Sequence, residues 1–426
     1  MEVCYLKRPS INLMFLIFIL ILVIILVSIF TNQLLKTNSQ NTKNHNNKIL
    51  NTIENPNKSS ILENSLSSET FEDRPKIIAK TVVPEDISLT ISAIGDIMCH
   101  NTQFKDAYSN GAYDFSYVFS DIEHFIKDAD VSIGNLETTF AGNQKQYQGY
   151  PNFNTPEALA FDLSELGIDV ITTSNNHSLD TGYSGLESTL NFLDEANISH
   201  VGTARSVEEQ NSILIKEVNG LKIAFLSYTY GTNGIPIPSE KEYCINLIDK
   251  EFILSQLENT KDQNPDLICV SMHWGNEYEL VQNESQIDLT NFLFENGADI
   301  ILGGHPHVLQ PLECRTIELP DGSTKNGFVI YSLGNFMSGQ TKENTRTSII
   351  LNLKLTKHGD TGNFTIDEVL YTPIYTYTSP NYKNYKVLDI QKAIYNYENN
   401  LETPINQTDY ILLKKELEKV NSIYIP

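Results

Sequence analysis

The stretch A-D-I-I-L-G-G-H-P-H, Ala298 to His307, reads as a short buried strand running straight into two glycines and a pair of imidazoles. The apolar run Asp299 to Leu302 has the length and branching of a core strand, and the turn after it carries the chemistry. The i, i+2 spacing lets His305 and His307 reach one centre from a single turn, with Pro306 restricting the backbone between them. Three more histidine motifs stand at comparable places: G-D-I-M-C-H (Gly95 to His100), S-N-N-H-S-L-D (Ser174 to Asp180) and M-H-W-G-N-E (Met272 to Glu277). A further segment, G-N-L-E (Gly134 to Glu137), adds a carboxylate. Polar groups gathered beyond the C-terminal ends of strands are how an α/β sheet builds a site.

The surrounding pattern agrees. Strand-like runs cover Ser88 to Ile94, Asp130 to Gly134, Ile168 to Thr173, Ser212 to Val218, Leu221 to Tyr228, Asp266 to Met272, Asp299 to Leu302 and Gly327 to Leu333. Between them, apolar residues at helical spacing predict helices over Phe115 to Lys127, Pro156 to Leu166, Tyr183 to Ala196 and Glu284 to Glu295. Thr347 to Lys357 and Asn363 to Tyr371 read as an antiparallel pair, and Leu388 to Glu398 and Thr408 to Val420 as two helices. The fold class is α/β with mixed sheets.

The chain has 426 residues, a formal net charge of −23 and 40% hydrophobic residues. Phosphate contacts need clustered Lys and Arg, so this charge argues against nucleic acid as a partner. Ile11 to Phe30 carries no charge and matches the hydrocarbon thickness of a bilayer as a helix. Lys7 and Arg8 before it place the N-terminus in the cytoplasm and the rest outside, giving a single-pass membrane anchor. A cleavable signal peptide is the rival reading, and Val27 to Phe30 lack a small-x-small cleavage site for it. Residues 31–85 are rich in Asn, Ser, Lys and Thr and read as a flexible extracytoplasmic linker. The resulting organisation is a cytoplasmic N-terminus at 1–10, an anchor at 11–30, the linker at 31–85, a main domain at 86–375 and a helical extension at 376–426. No C-x-x-C pair exists to build a zinc ribbon, and the spacing of Cys99, Cys244, Cys269 and Cys314 specifies no disulfide. Cys99 is either a small buried hydrophobe or a metal neighbour.

Asp96, His100, Glu137, Asn176, His273, His305 and His307 together offer carboxylate, carboxamide and imidazole donors. That mixture suits manganese, zinc or iron and not an all-oxygen calcium cage. Seven donors exceed the three or four of a single catalytic zinc, which favours two divalent transition metal ions sharing a bridging carboxylate. Taken singly, G-D and N-N-H are also ordinary turn sequences, and His273 beside Trp274 could be a core histidine. Asp180 is placed either to orient His177 or to cap the helix before Tyr183. Trp274, Tyr278, Tyr147 and Tyr150 are candidate rim residues for a ligand, with plain packing as the alternative for each.

In this order, G-D-I-M-x-H, N-L-E, N-N-H-x-x-D-x-G, H-W-G-x-E, G-x-H-P-H and S-L-G-N-F resemble the CapA family of poly-γ-glutamate capsule synthesis proteins over roughly Leu89 to Pro373. That family is similar to the calcineurin-like metallophosphoesterases, so the resemblance implies a sandwich of two mixed β-sheets flanked by helices. It also implies role by role that Asp96 and His307 serve a first metal, that Glu137 stands where phosphoesterases use a bridging Asp, and that Asn176, His273 and His305 serve a second metal. His177 resembles the acid that protonates a leaving group. Trp274 and Glu277, in H-W-G-x-E, are candidate ligand-binding residues. One departure is plain: Met98 stands where a phosphoesterase D-x-H has its His, leaving His100 as the substitute.

The resemblance further implies a membrane-anchored, extracytoplasmic component of poly-γ-glutamate capsule synthesis or export. Its partners would be the membrane, the polyglutamate or another anionic envelope polymer, and the membrane and ligase subunits of a synthesis complex. The alternative is a metal-dependent hydrolase acting on a phosphoester or amide of the cell envelope; a structural partner with a degenerate site is the third class.

Overall fold

The structure is a computed structural model that describes residues 84–319 and 322–424. The expected cytoplasmic N-terminus, the anchor at Ile11 to Phe30 and nearly all of the linker lie outside the described residues. Among the described residues, no helix is long and apolar enough to cross a membrane.

The first strands are β1 (Ile87–Ile97), a small hairpin of β2 (Tyr108–Ser109) and β3 (Ala112–Tyr113), then β4 (Val131–Leu136), β5 (Val170–Thr172) and β6 (Ser199–Val201). Next come β7 (Leu214–Val218), β8 (Leu221–Thr229), β9 (Leu267–His273), β10 (Ile300–Gly304), β11 (Leu312–Glu318) and β12 (Thr324–Ile330). The last are β13 (Asn335–Met337), β14 (Thr347–Lys357), β15 (Phe364–Tyr377) and β16 (Lys386–Asp389). One sheet has the order β16-β15-β14-β1-β4-β5-β6, with β13 also paired to β1; the other has the order β11-β12-β10-β9-β8-β7. Each is mixed: β1, β4, β5 and β6 run parallel, as do β8, β9, β10 and β12, while β14–β16, β7 and β11 add antiparallel edges.

Period-two alternation along β1 explains how the sheets stack. Leu89, Ile91 and Ala93 meet Ile223 and Phe225 of β8, Cys269 of β9 and Ile300 of β10 in a core between the two sheets. Ile94 and Ile97 turn the other way, against Leu159 and Leu163 of the helix Ala158–Leu166 and Leu186 and Leu190 of Tyr183–Glu195. The second sheet's outer face takes Ile253 and Leu257 from the helix Lys250–Lys261 and Leu289 and Leu293 from Glu284–Glu295. A double layer of sheet with helices outside each face results.

Most predicted elements are present with shifted ends, and Thr347–Lys357 and Glu284–Glu295 match residue for residue. Phe115 to Lys127 is not one helix but two short ones, Ser116–Phe119 and Glu123–Lys127, because the chain turns between them at Ser120–Ile122. The helix Lys250–Lys261 was missed: its polar composition hides a narrow buried stripe, and its start is set by Asp249, whose side chain accepts from the Phe252 amide. The boundary drawn at 375 falls inside β15, which continues to Tyr377 and pairs with β16. Cys99, Cys244 and Cys269 are buried thiols, Cys314 is exposed, and none of the four is in a disulfide.

Two glycines let the sheet tops come together. A Cβ on Gly95 would lie 1.9 Å from the Gly334 carbonyl oxygen, and one on Gly303 would lie 1.9 Å from that of Tyr331. Both positions are close backbone approaches that only glycine permits.

Candidate metal centre

Because the parallel strands of both sheets point the same way, their C-terminal ends deliver side chains to one place. Asp96 pairs in register with Asn135, Asn135 with Thr172, and His273 with both Thr229 and Gly304. Beyond the strand ends lie Glu137, the Asn175–His177 turn and the His305–His307 turn. Both His305 (φ 96°) and His307 (φ 60°) occupy left-handed backbone, a costly conformation for residues with a Cβ, tolerated where surrounding contacts impose it. One such contact is visible: the His305 amide donates to Asp96 Oδ2 at 3.1 Å. Gly304 makes room for this, since a Cβ there would lie 2.6 Å from Asp96 Oδ1.

Glu137 is fully buried, and neither of its oxygens has a hydrogen-bond partner. Around it stand three imidazoles: His273 Nε2 at 3.6 Å, His177 Nε2 at 3.9 Å and His307 Nδ1 at 3.9 Å. His307 Nδ1 is also 3.5 Å from Asp96 Oδ2. Potential donor atoms lie within 4.8 Å of one another in three groups: Asp96, Glu137 and His307; Glu137, His273 and His305; and Glu277, His305 and His307. Glu137 is common to the first two, as a bridging carboxylate would be. Orphaned Glu137 oxygens, an unpartnered buried His305 Nδ1 and a mixed carboxylate–imidazole donor set fit divalent transition metal ions.

Protonation equilibria report the same crowding. Burial pushes the Glu137 carboxyl well above the usual range, and the charge of Asp96 adds to it. Asp96 is buried as deeply, yet His307, His273 and the Asn135 amide, which donates to Oδ1 at 2.8 Å, outweigh desolvation and hold it at about 2. Burial, reinforced by His305, pushes His273 well below its ordinary value. His305 is lowered to about 4 by burial and by His307.

The remaining predicted residues fall into three situations. Asn176 Oδ1 lies 2.7 Å from His273 Nε2, on the side of the second group. His177 is oriented from behind: Nδ1 lies 2.7 Å from Asp180 Oδ2, whose position is fixed by the Phe153 amide donating at 2.6 Å. His100 stands apart, in none of the three groups. Its Nδ1 accepts from the Gly339 amide at 3.0 Å, and the Phe153 ring packs edge-on between it and His177, at centroid distances of 5.1 and 4.8 Å. Trp274 is buried, and its indole N–H donates to the Tyr331 carbonyl at 2.9 Å, so it packs into the second sheet's outer core. Glu277 is exposed at the mouth of the third group. Of the tyrosines, Tyr278 lies tilted beside His307 at 6.0 Å between ring centroids, whereas Tyr147 bonds Glu157 away from the centre.

Sequence reasoning missed a ring of carboxamides and one aromatic. Asn135 reaches both Asp96 and His273 (3.4 Å to Nδ1). Asn335 Oδ1 lies 3.0 Å from His307 Nδ1 while its amide donates to the Thr345 carbonyl at 2.9 Å. Asn233 accepts from Asn176 at 3.0 Å and approaches His177 Nε2 at 3.4 Å. Tyr230 lies over His305 at 4.6 Å. Asn335 sits in the quoted S-L-G-N-F motif, and Tyr230 and Asn233 follow directly after a predicted strand, the placement that marked the other site residues.

Residues 90–340 match the family described as "Bacterial capsule synthesis protein PGA_cap". The chain belongs to this family of bacterial capsule synthesis proteins. It is 32% identical over 289 residues to the "PGA biosynthesis protein CapA" of Bacillus subtilis (strain 168), covering 67% of this chain and 72% of that one. To the "Capsule biosynthesis protein CapA" of Bacillus anthracis it is 29% identical over 303 residues, covering 69% and 70%. A solved NAD nucleotidase of Haemophilus influenzae superposes with a TM-score of 0.43 at 15% identity, over 80% of this chain and 61% of that chain.

The imidazole environment sets a pH dependence. His305 and His100 are lowered to about 4 and His273 falls well below 6.5, so the fold holds them neutral where an unfolded chain would protonate them. The unfolded state therefore takes up more protons as pH falls from about 6.5 to about 4, and stability is lost over that window. Glu137 acts in the opposite sense, as one group against three. Chelator-treated protein should melt at a lower temperature at pH 4.5 than at pH 7, and His100→Asn/His305→Asn should flatten that slope. An unchanged or higher melting temperature at pH 4.5 would contradict this assignment.

Proposed function

We propose that the protein is a membrane-anchored, extracytoplasmic component of poly-γ-glutamate capsule assembly, built as a calcineurin-like double sheet around a two-metal centre. The observation that carries the metal centre is the Glu137 carboxylate, buried without a hydrogen-bond partner among three imidazoles. An isolated carboxylate is too costly to bury ionised, so it takes up either a proton or a cation, and the flanking donors are those of a cation site. Asp96, Glu137 and His307 would hold one ion, and Glu137, His273, His305 and Asn176 the other. Bound there, such ions supply Lewis acidity and lower the pKa of a coordinated water. The capsule role rests on family membership, and its polymer on the likeness to the PGA biosynthesis protein of Bacillus subtilis.

A hydrolase reading is favoured by one specific arrangement, the His177–Asp180 pair. Asp180 accepts from Nδ1–H, which leaves Nε2 facing the centre to give or take a proton. Phe153 wedges the ring from one side and Asn233 approaches Nε2 from the other, so the imidazole is aimed.

Four outcomes test these readings. The intact protein, purified without chelator, should carry transition metal by elemental analysis, and His305→Ala/His307→Ala should remove it with the far-ultraviolet spectrum unchanged; a metal-free unmutated protein would refute the centre. If the centre hydrolyses an envelope phosphoester or amide, His177→Asn should cut turnover by on the order of a hundredfold with metal content preserved. Under the assembly reading, that variant should leave polymer output near normal while His305→Ala abolishes it. For the anchor, protease added to intact cells should release the folded domain by cutting between Thr31 and Glu85; a fully protected domain would place it in the cytoplasm.

A further inference from the structure

The strongest feature outside the metal centre is a concentration of positive charge in a chain that carries 30 Lys and Arg against 53 Asp and Glu. A cavity of about 490 Å³ opens between the loop Thr341–Thr347 and the C-terminal helix Gln407–Tyr424. Its walls include Lys342, Arg346, Lys415 and Lys419 against two acids, Glu343 and Glu416.

Those charges are not all committed to one another. Lys419 Nζ is held by Glu416 at 2.9 Å and Glu343 at 3.3 Å, and Glu416 also accepts from the Thr347 hydroxyl at 2.8 Å. Among the described residues, Lys342, Arg346 and Lys415 make no ion pair with a carboxylate. Arg346 donates Nε to the Gln340 carbonyl at 3.2 Å and also hydrogen-bonds the Tyr375 side chain in the cavity wall, contacts that steady the guanidinium without neutralising its charge.

One wall residue, Lys342, reaches from the cavity towards the metal centre. Lys342 Nζ lies 3.4 Å from the centroid of the Tyr278 ring, and that ring lies 6.0 Å from His307. The loop wall is tied to the site through Asn335, whose amide reaches the Thr345 carbonyl and the Gln340 side chain at 3.0 Å. A chain with regularly spaced negative charges can therefore lie in the cavity and extend along Lys342 and Tyr278 towards the centre. A small anion would use only one end of that track.

We propose that this cavity is a docking site for the carboxylates of an anionic polymer, holding a stretch of polymer beside the metal centre. The identity of the polymer as a γ-linked polyglutamate rests on the functional reading above; the cavity and its unpaired cations do not.

The test uses the full-length chain in detergent and a fluorescent γ-linked oligoglutamate, with affinity read by anisotropy at low salt. Arg346→Gln/Lys415→Gln should weaken binding by on the order of tenfold, with melting temperature and metal content unchanged. Lys342→Gln should weaken it further, and added salt should erode the difference. Unaltered affinity in the folded double variant would overturn the proposal, as would inorganic polyphosphate outcompeting the oligoglutamate at equal charge. Loss of binding in the double variant of a protein that proves metal-free would sustain the docking site and sink the metal reading. A metal-loaded protein indifferent to Arg346 and Lys415 would do the reverse.

Discussion

The burial of Glu137 is the constraint around which the top of this molecule is arranged. A carboxylate with no hydrogen-bond partner and no exposure is among the most expensive things a fold can enclose. Its surroundings are equally unusual, because His273, His305 and Asp96 are each buried and each compete for the same small volume. Either a proton on Glu137, shared with Asp96, or a cation beside it would relieve that cost. The sharing of Glu137 between two donor groups follows from its position between the first sheet's Asp96 and the second sheet's His273 and His305.

The rest of the architecture can be understood as holding that arrangement still. Two sets of parallel strands end together, and glycines at the closest approaches let the loops touch without side chains intervening. The His305–His307 turn keeps two imidazoles in left-handed backbone, which the Asp96 carboxylate helps to pin through the His305 amide. Behind these lies the carboxamide ring of Asn135, Asn176, Asn233 and Asn335. A carboxamide donates and accepts at once without adding charge, so it can orient a carboxylate on one side and an imidazole on the other.

Positive charge follows a different logic. The body of the protein is strongly acidic, which repels anions generally, and the cations lining the cavity by the C-terminal helix stand against that background. A polyanion would be admitted along the Lys342–Arg346–Lys415 track and discouraged elsewhere, a division that neither composition nor any single motif expresses.

Much of the centre was legible along the chain. Strand-forming runs are short, β-branched and local, and a polar residue just beyond such a run is pointed at the sheet edge by the strand itself; hence Asp96, Glu137, His273, His305 and His307 could be named in advance. The sequence by itself also determined the family, through the order of motifs that no one strand end carries alone. What it did not contain was distance. The separation of His100 from the donor groups, the packing of Trp274 into the core and the recruitment of Asn135, Asn335 and Tyr230 depend on how one sheet is stacked on the other. The joining of Lys342 and Arg346 to Lys415, about seventy residues further along the chain, depends instead on how the C-terminal helix packs beside β15. Local propensity sets which side chains stand at strand ends, whereas the inter-sheet core, built from contacts remote in sequence, decides which of them meet.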